Sequence, residues 1–219
     1  SFMQVESYNL SQKVTCFNKN KIDCLNDFFD KNSIFELFDR WGGSILAGKA
    51  RLKGYPITYL LCNDEASITK IPVDPGNLES QKYDKYNPGC VFNSDSSQKV
   101  AQIIKESNIE KLPLVFLVNL RGFSGGTKDM LDQILTYGSD IVRNLEEYKQ
   151  PVYIYLMPNS QLRGGAMVVI SKLINKEKIE IYADPTSSAN ILEPTGLKTI
   201  KFKEKDIHKK MNQDNINLT

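Results

Sequence analysis

A strand, a glycine-rich turn and a helical pattern follow one another without a break between residues 112 and 138, and this segment constrains the fold most. The apolar run at residues 114–118 is typical of a strand buried on both faces. The turn that follows, residues 121–126, has the sequence RGFSGG. Apolar residues then recur at helical spacing, namely Met130, Leu131, Ile134, Leu135, Ile141, Val142 and Leu145. Glycines at the start of a helix leave backbone N–H groups facing outward, so the segment predicts a site for a negatively charged group.

The same arrangement occurs a second time further along the chain. An apolar strand at residues 151–157 leads into the turn 161–166, in which Arg163 directly precedes two glycines. Arg121 stands in the same relation to the glycines of the first turn. A single arginine of this kind is explained by a surface ion pair. Two arginines at matched turns favour recognition of a carboxylate, because a guanidinium binds a carboxylate through two parallel hydrogen bonds.

The remaining pattern predicts an α/β domain. In chain order we expect a helix at 34–38, a hairpin of strands at 45–52 and 55–61, a loop-rich stretch at 63–94, a helix from an N-cap at 94–95 to residue 108, and strands at 179–183 and 199–202. Strand–turn–helix units recur from residue 95 onward, which indicates helices packed outside a twisted sheet. Doubly wound and spiral ββα arrangements both fit this order.

The chain is expected to form a single domain at residues 29–202. A polar lead-in occupies residues 1–28, and its first three residues, Ser-Phe-Met, are typical of a cloning remnant. A charged, Asn-rich tail occupies residues 203–219.

Overall charge and cysteine usage exclude several classes of function. The formal net charge of +2 over 219 residues gives no reason to expect nucleic acid or an anionic membrane as a partner. No run approaches the ~18 apolar residues of a membrane-spanning helix. The four cysteines stand apart from the one histidine, so we expect no metal site, and reduced thiols in an intracellular protein.

A serine hydrolase is the competing hypothesis. Residues 122–126 match the G-x-S-x-G pattern of a nucleophile elbow, and Ser124, Asp184 and His208 follow in the chain order of the α/β-hydrolase triad. Against it, His208 is the only histidine and lies in the polar tail, and an HGGG-type oxyanion segment is missing. We therefore favour Ser124 as a small turn residue and keep the hydrolase as an alternative.

The segment at 119–130, NLRGFSGGTKDM, resembles the NWRGFSGGQRDM segment of eukaryotic-type multidomain acetyl-CoA carboxylase. Further matching motifs occur in that family's order at residues 48–54, 73–75, 95–96, 148–151, 162–165, 182–184 and 192–194. The similarity extends over residues 29–202. The chain is therefore similar to the C-terminal half of the carboxyltransferase domain of this family.

This resemblance implies a fold and a reaction. The fold would be a crotonase-type ββα spiral, and the reaction a transfer of the carboxyl group from carboxybiotin to acetyl-CoA, giving malonyl-CoA for fatty acid synthesis. The biotin would be attached to a carrier domain outside this chain. The active site would be completed in trans by the N-terminal half of the domain across a homodimer, so we expect the isolated chain to be inactive. Enzymes of this family work in the cytosol or in plastids.

The resemblance also assigns site residues. Arg121 corresponds to the arginine that binds the transferred carboxylate, and Gly165 with Ala166 corresponds to a backbone oxyanion site. Substrate and biotin would contact Arg163, Gly164, Phe123, Gly125, Gly126, Gly138, Ile141 and Val168. A crotonase-like module that only binds a partner is the remaining alternative, and the presence of Arg121 and Gly165 argues against it.

Overall fold

The computed structural model describes residues 25–26 and 28–191. The strands, in chain order, are β1 (Phe35–Leu37), β2 (Ile45–Leu52), β3 (Tyr55–Cys62), β4 (Ser67–Ile71), β5 (Tyr83–Asn87), β6 (Leu114–Val118), β7 (Val152–Leu156), β8 (Gln161–Arg163), β9 (Ile179–Ala183) and β10 (Ser188–Asn190). The helices named here are α1 (Ser94–Ile109), α2 (Thr127–Leu131), α3 (Ile134–Glu146) and α4 (Gly164–Val169).

A six-stranded sheet in the order β1-β2-β3-β6-β7-β9 forms the centre of the domain. The first three strands are antiparallel, and β3, β6, β7 and β9 are parallel to one another. The predicted hairpin is confirmed, and it turns at Lys53 and Gly54, which have φ values of 50° and 84°. Positive φ at both central residues gives the turn the twist that a two-residue hairpin needs.

The chain forms a spiral of ββα units. After β6 it makes short parallel bridges, Phe92 with Phe123 and Leu120 with Leu162, before it enters α2. After β7 it forms β8, which pairs in parallel with β10, before it enters α4. Each unit thus adds one long strand to the main sheet, followed by a short segment in a second layer, which forms isolated bridges in the first unit and strand β8 in the second. Of the two arrangements left open by the sequence, the spiral is the one observed.

The two faces of the sheet carry separate apolar clusters. One face packs against α1 and α3, with Leu60, Phe116 and Ile154 fully or almost fully buried. The other face carries Tyr59, Val115, Leu117 and their neighbours, and Leu25 and Phe29 pack onto it. The alternation along β6 explains why all five of its residues are buried.

The predicted helix at 34–38 is wrong, because these residues form the edge strand β1. Phe35 pairs with Lys49 and Leu37 with Ala47 in an antiparallel ladder. Phe38 then adopts a positive φ of 56°, which ends any regular backbone. A five-residue helix gains too few hydrogen bonds to offset its nucleation cost, whereas the edge of β2 offers a ready ladder.

The loop-rich interpretation of residues 63–94 missed a second hairpin. Strands β4 and β5 pair antiparallel over five residues each. Their sequences, SITKI and YDKYN, are polar, and an eleven-residue connection at 72–82 separates them. The alternation of Ile68 with polar neighbours was the available signal, but both faces of this hairpin are largely exposed.

The helical stretch after the first glycine turn is broken in two. Gln133 has a left-handed φ of 64° and separates α2 from α3. As a result Leu131 and Leu135, predicted to lie on the apolar face, are 78% and 74% exposed. Ile134 and Ile141 are buried as expected.

Helix α1 is confirmed as an element, and its cap lies one residue earlier than predicted. The side chain of Asn93 accepts from the Ser96 amide, and the Ser96 hydroxyl is bonded to the Asn93 backbone N–H. This reciprocal capping box satisfies two donors at the start of the helix.

Several predictions fall outside the described residues. They are the strand at 199–202, the tail at 203–219 with His208, and residues 1–24 of the lead-in.

Lys99 anchors α1 to the turn after β1 and is fully buried. Its ammonium donates to the carbonyl oxygens of Phe38 and Trp41 at 3.0 and 2.9 Å. Burial lowers the pKa of Lys99 to about 8, although the negative charges of Glu36 and Asp39 act in the opposite direction. The charged form is therefore costly inside the domain.

Lys99 should make the stability of the chain rise with pH between about 8 and 10.5. In this window the unfolded chain, with the ordinary lysine pKa of 10.5, holds a proton that the folded chain has released. Lys99 should therefore contribute an increase of up to about 1.4 kcal/mol per pH unit to the free energy of unfolding. The raised pKa values of Cys62, Tyr59 and Tyr148 oppose this increase above about pH 9. Urea unfolding at several pH values should give a more positive slope in the wild type than in Lys99→Met, because the other titrating groups are common to both proteins. Equal slopes would contradict the assignment.

Candidate active site

The two glycine turns lie side by side and are joined by backbone hydrogen bonds. The Leu120 amide donates to the Gln161 carbonyl at 2.7 Å, and the Arg163 amide donates to the Leu120 carbonyl at 2.9 Å. Arg121 and Arg163, which are 42 residues apart in the sequence, are therefore held on neighbouring backbone segments, of which only that of Arg163 is a strand, β8.

The other side of the first turn is bonded to the segment that precedes α1. The Arg121 amide donates to the Cys90 carbonyl at 2.7 Å, the Phe92 amide to the Gly122 carbonyl at 3.0 Å, and the Ser124 amide to the Phe92 carbonyl at 2.7 Å. Gly122 has a φ of 128°, a conformation that favours glycine. The backbone on both sides thus fixes the path of the first turn.

The ring of Phe123 fills the space between two glycines. A Cβ at Gly138 would lie 3.3 Å from the ring, and a Cβ at Gly165 would lie 3.1 Å from it. The ring also packs against Phe92, with centroids 4.9 Å apart. Phe123 therefore connects α3 with the start of α4, and both glycines are needed for this close approach.

The two arginines differ in exposure. The side chain of Arg121 is exposed, and a Cβ at the neighbouring Gly125 would meet nothing within 4 Å. The Arg121 guanidinium is therefore accessible to a ligand. Arg163 is half-buried and immediately precedes α4 as its N-cap residue.

The second turn contains backbone amides from the start of a helix. Gly164 has a φ of 55°, which turns the chain into α4. The amides of Gly165 and Ala166 belong to the first turn of that helix, so the helix itself provides no carbonyl acceptor for them. Gly165 is exposed, whereas Ala166 is fully buried. The turn presents donors of the kind that stabilise an oxyanion.

The other residues assigned from the resemblance are divided between core and surface. Gly138 and Ile141 are buried within α3, Ile141 completely, whereas Gly126 is exposed at the start of α2. Val168 is 70% exposed on α4.

The hydroxyl of Ser124 is bonded to a carboxylate. It donates to Asp129 Oδ2, and Asp129 Oδ1 accepts from the amide and hydroxyl of Ser94 at 3.0 Å each. Burial acts to raise the pKa of Asp129, but these hydrogen bonds outweigh it and lower the pKa. Ser124 thus links the first turn to the start of α1.

Ser124 and Asp184, two members of the alternative hydrolase triad, are engaged in other hydrogen bonds. The Asp184 carboxylate caps its own turn by accepting from the amide and hydroxyl of Thr186, and these bonds lower its pKa. Ser124 lacks the positive φ of a strained elbow. His208 lies outside the described residues.

Exposed apolar side chains surround the two turns. They are Met130, Leu131 and Leu135 on the first side and Met167 and Val168 on the second, each at least 37% exposed. Large apolar side chains concentrated around polar turns mark a surface used for contact.

Sequence analysis did not single out Asn119. Its side chain contacts both Asp64 and Gln161, which are 55 and 42 residues away in the sequence. The available signals were its position two residues before Arg121 and its match to the first residue of the NWRGFSGGQRDM segment.

Within residues 25–26 and 28–191, no group of three or more His, Cys, Asp or Glu residues is placed to hold a metal ion. The helices in the described part of the chain are all too short or too polar to span a bilayer.

Comparison with known proteins identifies relatives of nearly the whole chain. Acetyl-CoA carboxylase 2 of Arabidopsis thaliana is 41% identical over 204 residues, which cover 92% of this chain and 9% of that protein. Mitochondrial acetyl-CoA carboxylase of Saccharomyces cerevisiae (strain YJM789) is 42% identical over 191 residues, covering 85% and 8%. The chain thus spans less than a tenth of the length of these relatives.

A solved structure supports the fold. The β subunit of geranyl-CoA carboxylase from P. aeruginosa superposes with a TM-score of 0.65 at 14% identity, covering 88% of this chain and 31% of that one. This likeness confirms the crotonase-type spiral. Residues 17–218 also match the family described as the carboxyl transferase domain. The chain therefore belongs to the carboxyl transferase domain family.

Proposed function

We propose that this chain is the C-terminal half of the carboxyltransferase of a biotin-dependent acetyl-CoA carboxylase. The observation that carries the proposal is the pair of arginine–glycine turns, which are hydrogen-bonded side by side and leave the Arg121 side chain exposed. Family membership and the names of the relatives support the same conclusion.

The residues present fit a carboxylated biotin and a CoA thioester. The biotin group, carried on another domain, supplies the carboxyl group that is transferred. Arg121 binds this carboxylate through charge-assisted hydrogen bonds. The amides of Gly165 and Ala166 donate to an oxyanion, as the enolate of acetyl-CoA would be, and Phe123 keeps these amides next to the first turn.

The active site is completed by a partner. We propose that the N-terminal half of the same domain, from the other subunit of a homodimer, covers the exposed apolar side chains around the turns. Met130, Leu135 and Val168 are 47%, 74% and 70% exposed and lie on the elements that carry the site. The enzyme would work inside the cell, in the cytosol or in an organelle.

The isolated chain should therefore be inactive and should gain activity when its other half is added. The assay is conversion of malonyl-CoA and free biotin to acetyl-CoA, which is the transfer in reverse. We expect biotin-dependent acetyl-CoA formation only when the 219-residue chain and the N-terminal half are mixed. Full activity of this chain alone would contradict the proposed division of the site.

A further inference from the structure

The side chain of Asn119 lies between three segments of the chain that are far apart in the sequence. Its Oδ1 accepts from the Gln161 backbone N–H at 3.0 Å, and its Nδ2 donates to Asp64 Oδ1 at 2.8 Å. Asp64 follows β3, Asn119 follows β6, and Gln161 begins β8. One side chain thus connects the ends of three successive units of the spiral.

We infer that Asn119 is a positioning residue for carboxyl transfer, which sets the distance between the Arg121 guanidinium and the amides of Gly165 and Ala166. This inference rests on the proposed function. Asn119 does not touch the reacting groups itself. It acts through the two backbone segments that carry Arg121 and the amides of Gly165 and Ala166.

The hydrogen-bond pattern explains why a side chain is needed here. Two backbone bonds join the turns, and both involve Leu120. Asn119 adds a third bond one residue earlier, to the amide of Gln161. If the two turns were joined only through Leu120, they could rotate about that residue. A bond from a second residue fixes the angle between them.

Asp64 fixes the side chain of Asn119 in turn. An asparagine amide can flip, and only one orientation presents the oxygen to Gln161. The carboxylate of Asp64 accepts only, so it selects the orientation in which the Asn119 nitrogen points towards it. The same Asp64 oxygen also accepts from the Cys90 thiol at 3.4 Å, and Cys90 holds the Arg121 amide through its carbonyl.

The test uses Asn119→Ala in two forms of the protein. In the complete enzyme, kcat for carboxyl transfer should fall on the order of tenfold or more while KM for acetyl-CoA stays unchanged, since displaced groups slow the reaction without removing CoA contacts. In the 219-residue chain, amide hydrogen exchange at residues 161–166 should accelerate about tenfold, as expected for one lost hydrogen bond.

Asn108→Ala is the matched control. Asn108 makes the same pair of bonds at a distant place, accepting from the Lys149 amide at 2.9 Å and donating to the Glu147 carbonyl at 3.1 Å. It joins the ends of α1 and α3, not the glycine turns. Its loss should affect stability but leave kcat per folded enzyme unchanged.

Exchanging the side chains of Asn119 and Asp64 tests whether the bond between them, and not only correct folding, determines kcat. Asn119→Asp alone should be as slow as Asn119→Ala, because two carboxylates then face each other. Adding Asp64→Asn restores a donor and an acceptor between the two side chains while an oxygen still accepts from Gln161. The new nitrogen cannot accept from the Cys90 thiol, a weak donor, so kcat should recover most of the loss. Wild-type kcat in Asn119→Ala, or no recovery in the double variant, would overturn the inference.

The outcomes also distinguish this inference from the proposed function. If the wild-type complete enzyme shows no carboxyl transfer, the proposed function fails and the role in catalysis fails with it. If wild-type transfer is normal but exchange at residues 161–166 is unchanged in Asn119→Ala, only the positioning role is overturned.

Discussion

Replacing Arg121 with alanine in the complete enzyme should lower kcat for carboxyl transfer by about 100- to 1,000-fold, the usual effect of removing a donor that binds developing negative charge. The side chain is exposed, so the variant should fold normally. Arg121→Lys should recover only part of the rate, because an ammonium keeps the charge but cannot form two parallel bonds to a carboxylate.

Arg143→Ala provides the control for this variant. Arg143 is an exposed arginine on α3 whose contact is an ion pair with Asp140 at 3.1 Å. Exposed pairs of this type contribute about 0–1 kcal/mol, so neither stability nor turnover should change appreciably. Near-normal turnover in Arg121→Ala would remove the role assigned to that side chain.

Gly89→Ala should be the most destabilising single methyl addition near the site. A Cβ at Gly89 would lie 2.3 Å from the carbonyl oxygen of Asp64 and 2.8 Å from that of Glu65. Both atoms belong to the backbone, so the chain itself has to move. We expect a loss of about 1–3 kcal/mol in the free energy of unfolding, measured by urea denaturation of the 219-residue chain.

The same substitution should reduce activity, because the displaced segment holds the first turn. Cys90 and Phe92 directly follow Gly89 and bond to Arg121, Gly122 and Ser124. Gly125→Ala is the control for stability. A Cβ there would have nothing within 4 Å, so its effect on unfolding should stay within about 0.5 kcal/mol. Equal losses in the two variants would show that the crowding at Gly89 is not the cause.

The strongest patterns in the sequence predicted the frame of the domain. Strand β6 is an uninterrupted apolar run, and β2 and β3 flank a two-residue turn. These patterns depend only on residues close together in the sequence, so the elements that they predict are found in the folded chain. The two glycine turns were likewise visible, and their motifs carried the resemblance to the carboxyltransferase family.

What the sequence did not predict depends on contacts between distant residues. Residues 35–37 form a strand because β2 offers an open edge. The hairpin β4–β5 is largely exposed on both faces and has no continuous apolar stripe, and Gln133 interrupts a regular apolar spacing through one left-handed φ. The hydrogen bond between Asn119 and Asp64 joins residues 55 positions apart. The spacing of apolar residues along the chain cannot predict such a pair.

The most direct test of the central claim is carboxylation by the native protein. An antibody to this chain would isolate the protein from its source, and incorporation of labelled bicarbonate into malonyl-CoA would be measured with ATP and acetyl-CoA. We predict labelled malonyl-CoA from a biotinylated polypeptide far larger than 24.8 kDa, with the labelling blocked by avidin. A protein of 24.8 kDa that lacks biotin and forms no labelled malonyl-CoA would contradict the assignment.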